Sequence, residues 1–174
     1  MMCILQEVVG LMFQTGEKII YGSSGVCVVE EVSVPSFVGK DEKDRLYYKL
    51  RPVGSTEVIY TPVDTTVFMR PIMSRAEAEA LVARMPDIRE EVCTSHSIAL
   101  LRQQYDTFFK SHDCETYVQL VKGIYLKGKS GKKLGQTDQR YMKRAEDMLY
   151  GELAAALEIK PAEVPDYIRT TLGE

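Results

Sequence analysis

Residues 137–157 constrain the fold more than any other stretch of the chain. Met142, Ala145, Leu149, Leu153 and Ala156 recur at three- and four-residue steps, the spacing that lines apolar side chains along one face of a helix. Thr137 is the expected N-cap, its hydroxyl accepting from a free first-turn amide, and Asp138 suits the positive end of the helix dipole. Arg140, Lys143 and Arg144 sit near the helix start, where the dipole slightly disfavours cations. They continue a basic run that begins with Lys122, Lys127, Lys129, Lys132 and Lys133.

That run gives the net charge its meaning. The 174 residues carry a formal charge of −3, but unevenly. Residues 114–144 hold 8 Lys/Arg against 2 Asp/Glu, a balance of +6, whereas residues 145–174 hold 2 against 7, or −5. Such a chain can meet a polyanion only locally. The 4 cysteines follow no repeating spacing, which points to neither a disulfide framework nor a paired-cysteine metal site, and a reducing cytoplasm is the expected compartment. Residues 1–11 show no basic leader and no apolar run of the ~20 residues that a membrane span needs. They read as an extension without structure of its own, with Met12 as an alternative start.

In chain order, residues 13–62 read as β. Strands are expected at 16–21, 26–34, around Leu46, Tyr48 and Leu50, and at 57–61, where Pro62 closes the last. Four short strands with tight connections predict a small, strongly bent barrel of the Tudor or SH3 type, with edges able to accept another protein's strand. Residues 62–71 read as a linker. Helices follow: Ser74-Arg-Ala-Glu77 has the spacing of a capping box opening a helix over 76–85, and further helices are expected at 98–110, around 117–125, at 137–157 and near 161–172. Residues 127–135 read as a basic, glycine-rich hinge. The fold class is thus α+β, a Tudor/SH3-like barrel followed by an all-α domain. The domains are expected at 1–11 (extension), 12–70 and 71–174.

Several chemistries are suggested by pattern and rejected on physics. Gly123-Ile-Tyr-Leu-Lys-Gly-Lys-Ser130 satisfies the letter of the phosphate-loop pattern, which would make Lys129 and Ser130 nucleotide-binding residues. That loop needs a strand before it and a helix after it, and Gly123 instead lies inside a helical apolar pattern. Cys93, His96, His112 and Cys114 lack the spacing of a structural zinc site. With 2 histidines and neither beside a nucleophile or paired carboxylate, acid–base catalysis has no actors. No catalytic residue, metal, cofactor, small-molecule substrate or membrane contact is therefore expected. The basic run fits a phosphate backbone touched without base readout.

Two motifs carry a family resemblance. Met12-Phe-Gln-Thr-Gly-Glu-Lys-Ile-Ile-Tyr21, followed by Gly25-Val26 and the strand closed by Pro62, resembles the N-terminal module of the CarD family of bacterial transcription regulators, a module related to one in the transcription-repair coupling factor. Lys133-Leu-Gly-Gln-Thr-Asp138, together with Met148-Leu-Tyr-Gly-Glu-Leu153, resembles the end of that family's helical domain. The resemblance implies a Tudor-like domain that binds the RNA polymerase β subunit, and a helical domain that touches promoter DNA and tunes the open complex.

Carried over by position, Val58, Ile59, Tyr60 and Pro62 fall on the polymerase-binding strand. Lys143 and Arg144 fall on a helix that offers cations to DNA, joined here by Lys122, Lys127, Lys129, Lys132, Lys133 and Arg140. Many members place a tryptophan at the edge of the bubble; this chain has none, and the matching region offers His96 and Ile98, with less stacking area. Where some members carry an arginine, this chain has Tyr60. The sequence therefore reads as a regulator bridging polymerase and promoter DNA. The rival is an interaction adaptor whose basic patch meets an acidic protein instead of DNA.

Overall fold

The computed structural model describes residues 13–173; the expectations for residues 1–11 and for Met12 lie outside them. Contacts divide the chain into two units between Ile72 and Met73.

The first unit is a five-stranded antiparallel sheet built from β1 (Lys18–Tyr21), β2 (Val26–Ser33), β3 (Tyr47–Pro52), β4 (Ile59–Pro62) and β5 (Met69–Pro71), in the order β4-β3-β2-β1-β5. Alternation decides what is buried. Cys27 and Val29 of β2, Tyr48 and Leu50 of β3 and Ile19 of β1 form the core, with Phe13, Ile59 and Met69 packed around them. Burial pushes the Cys27 thiol up to about 11, so it behaves as a small apolar group. The pairing of β2 with β3 slips between Val29 and Glu31, and an extra residue there bends the strand and increases its twist.

The sheet does not close. The expected barrel is corrected to an open sheet with β4 and β5 at its edges. The fifth strand lies in the stretch that reads as a linker and spans only Met69–Pro71. It is held by register with β1, Ile20 facing Arg70 and Tyr21 facing Met69. So short a strand carries no periodic signal of its own; its partner specifies it.

The second unit is helical: α1 (Arg75–Arg84), α2 (Ile98–Lys110), α3 (Cys114–Lys129), α4 (Gln136–Leu157) and α5 (Val164–Leu172). The capping box opens α1 as the spacing requires: Glu77 N donates to Ser74 Oγ at 3.2 Å and Ser74 N to Glu77 Oε2 at 2.7 Å. A single 3-10 turn at Met85–Asp87 then ends the helix at Pro86. The apolar stripe of α4 is buried at Ala145, Leu149, Leu153 and Ala156, against Tyr105 and Phe109 of α2 and Tyr117, Leu120 and Ile124 of α3. Among the described residues, no helix is long and apolar enough to cross a membrane.

Two helix boundaries differ from expectation. The N-cap of α4 is Gly135, and Thr137 lies inside the first turn. Asp138 takes the capping role, accepting from Gly135 N at 3.1 Å. The hinge expected over 127–135 shrinks, because α3 continues to Lys129 and Ser130 N donates to Leu126 O at 3.1 Å. Glycine at 128 does not stop a helix whose other face is packed.

Candidate functional site

The strand expected to meet polymerase, β4, is an edge, and among the described residues it pairs only with β3. Its register sets Tyr60 opposite Lys49 and Ile59 opposite Leu50. Ile59 therefore packs toward the core, while Tyr60 is 45 % exposed and Val58, just before the strand, 39 %. Pro62 is half-buried. The four residues are thus arranged along one edge, two turned outward.

Sequence reasoning missed a residue beside them. Phe37, in a polar loop between β2 and β3, is 63 % exposed. Its ring stands edge-on to Tyr60 at 5.1 Å and to Tyr47 at 6.1 Å. Edge-to-face contacts of this kind fix a ring's orientation, so Phe37 is a placed side chain. Its only signal in the sequence is the apolar pair Phe37-Val38 ahead of the charged stretch 40–45.

The charges flanking this edge are paired internally. Arg45 bonds Glu42 at 2.9 Å and Asp64 at 3.2 Å. Lys49 reaches Glu30 at 3.4 Å, and Arg51 also pairs with Glu30. The Arg51 hydrogen bond, with help from Lys49, holds the Glu30 carboxyl below its ordinary range.

In the helical unit the basic run separates into cations that hold the fold and cations that face outward. Lys122 donates to the carbonyls of Met85 at 3.0 Å, Pro86 at 3.2 Å and Ile88, ending the first helix of this unit as a C-terminal cation does. Lys127 pairs with buried Asp138 at 2.8 Å. Burial alone would raise the Asp138 carboxyl, but hydrogen bonds from Lys127, Tyr105 and Gly135 N outweigh it and hold the group below its ordinary value.

Arg144 stacks its guanidinium 3.9 Å from the Phe109 ring centre and approaches Asp106 at 3.6 Å. Lys143 pairs with Asp147 one turn on, at 2.9 Å. The outward set is smaller. Lys129 is exposed with its ammonium 5.2 Å from the Tyr125 ring centre, and Lys132, Lys133 and Arg140 are exposed and make no ion pair among the described residues. These four span the end of α3, the turn after it and the start of α4.

His96 and Ile98 come together at the start of α2, where Ser97 Oγ accepts from Leu100 N at 3.4 Å. Ile98 is 60 % exposed, Leu100 55 %, and His96 is exposed as well. The phosphate-loop pattern falls on α3, its amides bonded within the helix and no strand before it, so it lacks the geometry of a phosphate cradle. Among the described residues, no group of three or more His, Cys, Asp or Glu is placed to hold a metal.

Comparison with known proteins bears on the first unit. No curated protein matches the chain. Residues 13–73 match the family model of the CarD-like/TRCF RID domain, a module that ties this unit to RNA polymerase interaction in transcription. The matched span holds all five strands and the exposed edge. Over residues 13–73 this chain is therefore similar to the CarD-like RNA polymerase-interacting domain.

Proposed function

We propose that this protein regulates transcription without catalysis, docking its bulged, Tudor-like sheet on the RNA polymerase β subunit and laying the basic turn between α3 and α4 against promoter DNA. The observation that carries the first half is the edge strand β4, paired among the described residues only with β3, with Val58 and Tyr60 turned outward inside the matched domain. An edge strand accepts a partner's strand through main-chain hydrogen bonds, and its side chains set the choice of partner. The compartment is then the cytoplasm, where the protein joins the nucleoid through polymerase.

The DNA contact rests on Lys129, Lys132, Lys133 and Arg140, which offer charge to phosphates and have no base-reading geometry. Lys127 braces that turn through Asp138, while Lys122 is engaged at the end of α1. Promoter binding of this kind stabilises or loosens the open complex through its backbone contacts, with His96 and Ile98 nearest in sequence to the position where relatives meet the bubble edge.

The test is co-purification with RNA polymerase, wild type against Tyr60→Glu. Retention of wild type and loss of the variant supports docking through β4; retention of neither sinks it. The adaptor reading is favoured by one observation, that half of the eight expected DNA-contacting cations are engaged within the protein. Binding to random duplex DNA that weakens with salt separates the two, since an adaptor shows none.

A further inference from the structure

The edge that carries the docking reading has a chemical character that exposed main chain alone does not explain. Phe37, Tyr47 and Tyr60 form a connected set of rings on the outer face of β3 and β4, with the Phe37–Tyr60 planes at 80° and the Phe37–Tyr47 planes at 77°. Val58, 39 % exposed and two residues before Tyr60, adds apolar surface along the same edge. The two cations of β3, Lys49 and Arg51, share the one carboxylate of Glu30, and Arg45 pairs with both Glu42 and Asp64, so that these six charges cancel as a set. Large apolar residues are thus left facing water beside charges that already satisfy one another, which is the composition of an interface core with its polar rim.

We propose that Phe37 is the specificity-determining contact of this edge, and that the set of rings selects an extended polymerase segment presenting branched aliphatic side chains rather than charges. This rests on the polymerase-docking reading and names the chemistry of its partner. The occupant follows from two observations. Among the described residues the outer edge of β4 is free, which calls for an extended chain, and ion pairs that cancel as a set leave little field to attract a charged one. A strand added to β4 places alternate side chains on the outer face, where the first of them meets the exposed side of the Phe37 ring. An acidic residue there would lose its water beside a set of ion pairs whose charges already cancel as a whole.

Such an interface is apolar and therefore weakly dependent on salt. The full chain is titrated against RNA polymerase core enzyme, as wild type, Phe37→Ala and Phe37→Leu, with folding of each variant checked by circular dichroism. Buried aromatic anchors dominate interface energetics, so Phe37→Ala is expected to weaken binding about thirtyfold while Phe37→Leu stays near wild type. Wild-type affinity is expected to change less than about threefold between about 50 and 400 mM salt. Unchanged binding by Phe37→Ala, or a steep fall with salt, overturns the proposal while leaving polymerase docking intact. Failure of wild type to bind polymerase at all overturns both.

Discussion

Lys127 and Asp138 close the base of the turn between α3 and α4 with an Nζ–Oδ1 distance of 2.8 Å, their side chains 15 % and 5 % exposed. The same carboxylate oxygen accepts from Tyr105 Oη at 2.5 Å, which brings α2 to the junction, and Oδ2 accepts from Gly135 N at 3.1 Å. One buried carboxylate therefore joins three helices and caps one of them. A charge this buried is tolerated only while its partners remain.

Removing the cation should show this directly. Lys127→Met leaves Asp138 charged, desolvated and short of its strongest partner, and is expected to cost about 3–5 kcal/mol of stability. Chemical denaturation measures it. A change below about 1 kcal/mol, the ordinary value of an exposed pair, would show that the junction is solvated.

Acid should reveal the same group. The Asp138 carboxyl is held below its ordinary value in the folded state. Its contribution is therefore present above the unfolded value of about 3.9 and disappears as pH falls through the lower folded value. The stability gap between wild type and Asp138→Asn should be full at neutral pH and narrow below pH about 4. A gap independent of pH would mean that Asp138 acts only as a neutral hydrogen-bonding group.

Much of this architecture is legible in the sequence, and what is hidden has one physical cause. The stripe on α4, the capping box at Ser74 and the closing Pro62 are local signals, fixed by spacings of a few residues. The roles of Lys122, Lys127 and Asp138 are not local: Lys122 reaches carbonyls 34 to 37 residues away and Asp138 meets Tyr105 33 residues away. In sequence these lysines are indistinguishable from Lys132 and Lys133. The strand β5 and the orientation of Phe37 are likewise set by partners distant in the chain.

The crossing of the loop after α1 over α3 gives a prediction in which two principles oppose each other. Gly123 lies within α3, where alanine would favour the helix by about 1 kcal/mol. A Cβ built there would stand 1.8 Å from Glu91 O, a backbone atom, and Glu91 N is itself tied to Gln119 O at 3.3 Å. Steric conflict wins: Gly123→Ala is expected to destabilise by at least about 1–3 kcal/mol. A rise in melting temperature would show that the loop is free to lift.

Salt dependence separates the cations that meet DNA from those that build the fold. Each phosphate neutralised releases counterions, and the slope of log K against log[salt] changes by about 0.9 for every lysine–phosphate pairing removed on duplex DNA. Lys132→Gln/Lys133→Gln should flatten the slope by about 1.8 while leaving stability nearly unchanged, because both side chains are exposed and make no ion pair among the described residues. Lys122→Met should do the opposite, lowering stability by about 1.5–3 kcal/mol as its charge-assisted hydrogen bonds disappear and leaving the slope in place. Lys143→Gln lies between, since its ammonium already has Asp147 at 2.9 Å and a phosphate would have to displace that partner. If Lys122→Met flattens the slope as much as a turn lysine does, its ammonium leaves the carbonyls of Met85 and Pro86 when DNA binds, and the division between structural and binding cations fails.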